Sequence, residues 1–142
     1  MSVRVYVSEK ALDDEVLFLL YQHIGRVNAV DRWTLVRKVY GDEAAMSKED
    51  ETDGNTFDRN VRDSIERWRP QGHFICNMGD GKGYFIAKDR KEYEDWKKYY
   101  LGPSFPKFQT INKVLDPKAD ERWGKTPKNP DPLPLWAQSQ GG

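Results

Sequence analysis

The sequence predicts a small α+β domain: three helices, a β-hairpin and a fourth helix, followed by an extended proline-rich arm. Three observations carry that prediction. Apolar residues recur at helical spacing in four stretches. Between the third and fourth, two short runs flank the turn Gly79-Asp80-Gly81-Lys82-Gly83, a hairpin signature. Seven of the eight prolines lie beyond Gly102, which sets a domain at residues 1–101 and an extended arm or tail at 102–142. A length of 142 residues accommodates one such domain and its appendage.

Val3, Val5 and Val7 alternate with polar residues at the period of a half-buried strand. Ser8 caps a helix expected from Glu9 to Ile24, with Glu9, Asp13, Asp14 and Glu15 near its positive end and Leu12, Val16, Leu19 and Leu20 on its apolar face. Gly25 ends it, and residues 26–30 hold a brief strand. Asp31 caps a second helix over Arg32 to Tyr40. Residues 42–54 are acidic and nearly free of large apolar side chains, which predicts a mobile insertion. The third helix starts at Thr56, buries Phe57, Val61, Ser64, Ile65 and Trp68, and stops at Pro70. Strands follow at about His73–Met78 and Lys82–Ala87, then a helix over Asp89 to Leu101 carrying Tyr93, Trp96 and Tyr100. Phe105, Phe108, Ile111, Val114, Leu115, Trp123, Leu133, Leu135 and Trp136 are more anchors than a linker needs. They favour an arm that wraps its own domain or a second copy, the latter giving a homodimer, over a disordered tail with incidental hydrophobics.

The 23 basic and 23 acidic residues cancel, which argues against wholesale coating of nucleic acid or of an anionic membrane. The balance is −4 up to Gly54, and +2 both from Asn55 to Leu101 and beyond. A single cysteine, Cys76, forms no internal disulfide. No stretch approaches the roughly 18 apolar residues of a membrane span, and the first residues lack a signal-peptide pattern. The expectation is a cytoplasmic protein without a membrane.

Catalytic readings find little support. His23 and His73 have no second ligand at metal spacing, and Cys76 has no basic partner in its strand. Asp50, Glu51 and Asp53 read as solvated loop acids. No phosphate-cradling loop, hydrolase elbow or zinc spacing occurs, so neither an enzyme nor a cofactor is expected.

The third helix carries the most chemistry. Opposite its buried stripe lie Asn55, Arg59, Arg62, Asp63 and Glu66, with Asn60 and Arg67 at one flank and Arg69 at another. Arginine and asparagine pair donors and acceptors on guanine and adenine edges, and Thr56 with the first amides suits phosphate. Asp63 and Glu66 repel phosphate, so taken alone the helix better suits a solvated surface with ion pairs worth about 0.3 kcal/mol each. The hairpin adds glycines that tolerate positive φ and Lys82 at the tip, where a phosphate or minor groove would be met.

The run Arg62-Asp63-Ser64-Ile65-Glu66-Arg67-Trp68-Arg69-Pro70-Gln71-Gly72, followed by Gly81-Lys82-Gly83-Tyr84, resembles a winged helix-turn-helix. It is similar to biotin-repressor-type and phage-encoded members over roughly Glu9 to Leu101. The resemblance implies that the third helix is a recognition helix and the hairpin a wing. Arg59, Asn60 and Arg62 would face DNA and Lys82 its backbone. It also implies a phage-like origin, in transcription regulation or as a replication or packaging accessory. Here Trp68-Arg69-Pro70 stands where the family has an apolar–Arg pair, and the acidic insertion lengthens the turn before the third helix. The sequence therefore points to double-stranded DNA binding without catalysis, through Asn55, Thr56, Arg59, Asn60, Arg62, Arg67 and Lys82. The alternative is a winged-helix adaptor docking on a protein partner such as a polymerase or host factor.

Overall fold

The computed structural model describes residues 3–46, 56–101 and 105–125. Ser8 starts α1 (Glu9–Leu20) by accepting the Ala11 amide at 3.1 Å, and Asp31 starts α2 (Arg32–Tyr40) by accepting from Trp33 and Thr34 at 3.1 Å. A short α3 (Asp42–Met46) leads towards α4 (Thr56–Trp68). After a 3₁₀ turn (Arg69–Gln71), β1 (Ile75–Asn77) pairs antiparallel with β2 (Tyr84–Ile86), Cys76 opposite Phe85. Then come α5 (Arg90–Leu101), α6 (Phe105–Thr110), a π-helical turn (Ile111–Leu115) and α7 (Asp116–Trp123). The architecture is α+β: helices around one small antiparallel sheet.

The strands are buried on both faces. Ile75, Tyr84 and Ile86 join a core built by α1, α2, α3 and α4 around Val16, Leu20, Leu35, Val36, Val61 and Ile65. Phe74, Cys76, Phe85 and Ala87, the alternate residues, join a second core with Tyr93, Trp96, Ile111, Leu115 and Ala119. β2 also meets the segment between α1 and α2. Ile24 bridges Ile86, and Val30 and Tyr84 exchange amide–carbonyl hydrogen bonds of 2.8 and 2.9 Å. That double bond ties the hairpin to the start of α2.

Several expectations are corrected. Residues 3–7 form no strand: the Arg4 amide donates to the Tyr40 carbonyl, the Arg4 and Tyr6 side chains donate to carbonyls of α2, and Val5 and Val7 stay 85% and 96% exposed. The period of two is present, but no strand edge lies beside it. The first helix ends at Leu20, and residues 26–28 make a 3₁₀ turn, leaving Val30 as the bridging residue. The acidic insertion is helical over Asp42–Met46, with Ala44 and Ala45 buried. Its acids sit in the first turn, where the helix dipole favours them, and alanine is a strong helix former. Positions 47–54 lie outside the described residues.

The largest correction concerns the arm, which is not extended over 105–123 but helical and folded on its own domain. Pro106 and Pro117 stand in the first turns of α6 and α7, where a missing N–H costs least. Pro117 follows the π turn directly, and the Asp116 amide just before it bonds to the Ile111 carbonyl, five residues back. Residues 126–142, with Leu133, Leu135 and Trp136, lie outside the described residues.

His73 joins α1 to α4 and yields a prediction. Its Nδ1 lies 2.8 Å from the Tyr21 hydroxyl, and its ring meets those of Tyr21 and Trp68 edge-on. Burial, then the Lys118 charge, holds its pKa below the ordinary histidine value. The unfolded chain therefore takes up the proton first as pH falls. Stability is full above about pH 6.5 and declines below it, towards the depressed folded pKa. Urea midpoints should drop between pH 7 and pH 5, and His73→Gln should flatten that slope. An unchanged slope in the variant would remove His73 as its cause.

Candidate nucleic-acid interface

Helix α4 is held by a clamp on one side and an ion pair on the other. The Asp58 carboxylate, 1% exposed, receives both Nε and Nη2 of Arg32 at 2.7 and 2.6 Å, joining α4 to α2. That hydrogen bonding, outweighing burial, raises the Arg32 pKa. Arg67 grips Asp13 of α1 with two bonds of 2.9 and 2.8 Å, and Glu9 lies 3.6 Å away. Burial alone would push the Asp13 carboxyl up, but Arg67 outweighs it and holds it low.

These contacts divide the expected DNA-facing residues. Asn60 is half-buried and donates to the Tyr40 hydroxyl at 3.3 Å. Arg67 is committed to α1. Both line a groove of about 690 Å³ beneath the N-terminal segment, away from the hairpin. Arg59 is exposed on α4, and Thr56 is exposed at its start. Arg62 is paired with Asp58 at 3.2 Å yet keeps 46% of its side chain in solvent. Asn55 lies outside the described residues. Lys82 is exposed at the tip, its amide bound to Asp80 at 3.0 Å.

Arg62 and the hairpin meet. A cleft of about 560 Å³ runs between α4, the turn at Asn77 and Gly79, and α5. The tip is braced on two sides. Asp80 pairs with Arg26 at 3.0 Å, and the Tyr99 hydroxyl sits so close to Gly79 that a Cβ there would overlap it. Behind the cleft Arg69 is 6% exposed. It bonds the Ile75 carbonyl at 2.8 Å, pairs with Glu66, and lies 5.0 and 4.8 Å from the Trp96 and Tyr100 ring centroids. Tyr100 also donates to Glu66 at 3.2 Å. Glu66, expected to repel phosphate, is thus neutralised from within.

The sequence did not mark Arg69 as an internal cation. Its signal lay in the Trp96 and Tyr100 spacing on a helix that only the fold brings alongside. Cys76 is wholly buried, and that burial pushes its thiol far above its ordinary pKa, away from the reactive thiolate. Among the described residues no group of three or more His, Cys, Asp and Glu could hold a metal ion, and no helix is long and apolar enough to cross a membrane.

No family model matches the chain, and no solved structure matches it. A stretch of 49 residues is 38% identical to "Conotoxin Im14.2" from Conus imperialis. The match covers 34% of this chain and 40% of that protein, too little of either to assign a family.

Proposed function

We propose that the chain is a winged-helix module that binds double-stranded DNA without catalysis, α4 entering the major groove and the hairpin tip resting on the backbone. The observation that carries this reading is the pairing of Val30 with Tyr84, which fixes the hairpin beside α4 so that Arg62 and the glycine turn share one cleft. The contact set is narrower than the sequence suggested. Arg59, Arg62 and Lys82 make it, while Asn60 and Arg67 serve the fold. Exposed Asp63 limits the affinity for phosphate.

The test is a salt series on a pool of random-sequence duplexes. Affinity should fall steeply with added salt, because phosphate contacts release counterions. Lys82→Ala should reduce the slope by about 1, and Arg59→Ala with Arg62→Ala should together weaken binding by about 2 kcal/mol or more. A double variant that binds like the parent sinks the proposal.

One observation favours protein docking instead. Val5 and Val7 stand almost wholly in solvent, and Val5 borders the mixed groove that Asn60 and Arg67 line. A chain indifferent to duplex at low salt, whose Val5→Ser/Val7→Ser variant no longer enters a complex with its protein partner, would establish that role.

A further inference from the structure

The cleft between α4, the hairpin and α5 is stocked with donors that the chain leaves unused. The Trp96 ring lines the cleft, while its indole N–H is sealed from it without a partner among the described residues, so that group reports on an occupant rather than bonding it. Asn77 spends its side-chain oxygen on the Gly79 amide at 2.8 Å, which leaves its NH₂ group without an acceptor among them. Lys107 lies 4.7 Å from the Tyr100 ring centroid and has no carboxylate at ion-pair distance among them. With half-exposed Arg62, Asn77 and Lys107 ask for an acceptor-rich, negatively charged occupant. Glu66 accepts from Arg69 and Tyr100, and the Arg69 cation offsets its charge.

Two further features narrow the class. Tyr99 is 58% exposed while its hydroxyl is packed on Gly79, so it offers a ring face held in place. Asp63, which also lines the cleft, is an acceptor suited to sugar hydroxyls. A volume of about 560 Å³ suits a small ligand.

We propose that this cleft binds a mononucleotide: the phosphate between Arg62 and Lys107, the base on Tyr99, the sugar hydroxyls towards Asp63. The site does not depend on duplex binding, although it shares Arg62 and the turn at Gly79 with the face assigned to DNA.

The experiment is calorimetric titration of the full chain with adenosine 5′-monophosphate, adenosine and inorganic phosphate, with the Trp96 indole N–H resonance followed by NMR. The nucleotide should bind saturably, at least tenfold more tightly than either half, and should move that resonance. Lys107→Ala and Tyr99→Ala, both at positions outside the buried cores, should each weaken it about tenfold with circular dichroism unchanged. Three results overturn the proposal: no heat and no shift at about 10 mM nucleotide, phosphate binding as tightly as the nucleotide, or both variants binding like the parent. Because no DNA is present, failure here leaves the duplex test standing, and the converse holds.

Discussion

Alanine at Gly83 is expected to cost about 3 kcal/mol and to lower the melting temperature by roughly 10 °C. Gly83 has φ 101°, and a Cβ there would overlap the Val30 carbonyl. That carbonyl accepts the Tyr84 amide, so the clash can be relieved only by opening the paired bonds between Val30 and Tyr84. The cost is then a left-handed conformation on a side chain, about 1–2 kcal/mol, plus two hydrogen bonds at about 1 kcal/mol each. Gly81 supplies the control. Its φ is 82°, but nothing lies within 4 Å of a Cβ there, so Gly81→Ala carries the conformational cost alone. Calorimetry should separate the two, and hydrogen exchange should show Val30 and Tyr84 amides deprotected in Gly83→Ala. Equal losses at both positions would show that contact with Val30 does not place the hairpin.

Replacing Arg32 by alanine is expected to destabilise by about 3 kcal/mol, because a charge is left buried without its main partner. Asp58 is 1% exposed, and Arg62 also pairs with it, at 3.2 Å. Arg32 itself is 43% exposed at the side chain and can recover solvation. Removal of the acid should therefore cost less than removal of the base. Urea denaturation of Arg32→Ala, Asp58→Ala and the double variant gives the coupling directly. The double variant should be more stable than Arg32→Ala alone. If it is less stable, the clamp is not what Arg32 contributes. Because Asp58 also holds Arg62, loss of the clamp should reach the proposed DNA face as well.

The elements that proved legible in the sequence are those whose signals are local. Ser8 and Asp31 cap the helices they were expected to cap, the 100° stripe of Val61, Ser64 and Ile65 is buried, and the Gly79–Gly83 turn joins two antiparallel strands. Legibility failed where a signal depends on what lies opposite. Val3, Val5 and Val7 have the period of a strand and no strand to join. Pro106 and Pro117 look like breakers, yet a proline in a first helical turn is tolerated. The site divided along the same line. That Arg59 and Arg62 lie on the outward face follows from the helix period. That Arg67 reaches Asp13, or that Arg69 turns inward beneath Trp96, depends on pairings 54 residues away or on a later helix.

The doubly covered strands have a mechanical consequence. With Ile75 and Ile86 facing one set of helices and Cys76 and Phe85 the other, the sheet acts as a bulkhead that both compartments press against. Loosening at Ile111 or Leu115 would be transmitted through three residues of each strand to the tip that carries Lys82. The C-terminal helices thus stiffen the hairpin from behind.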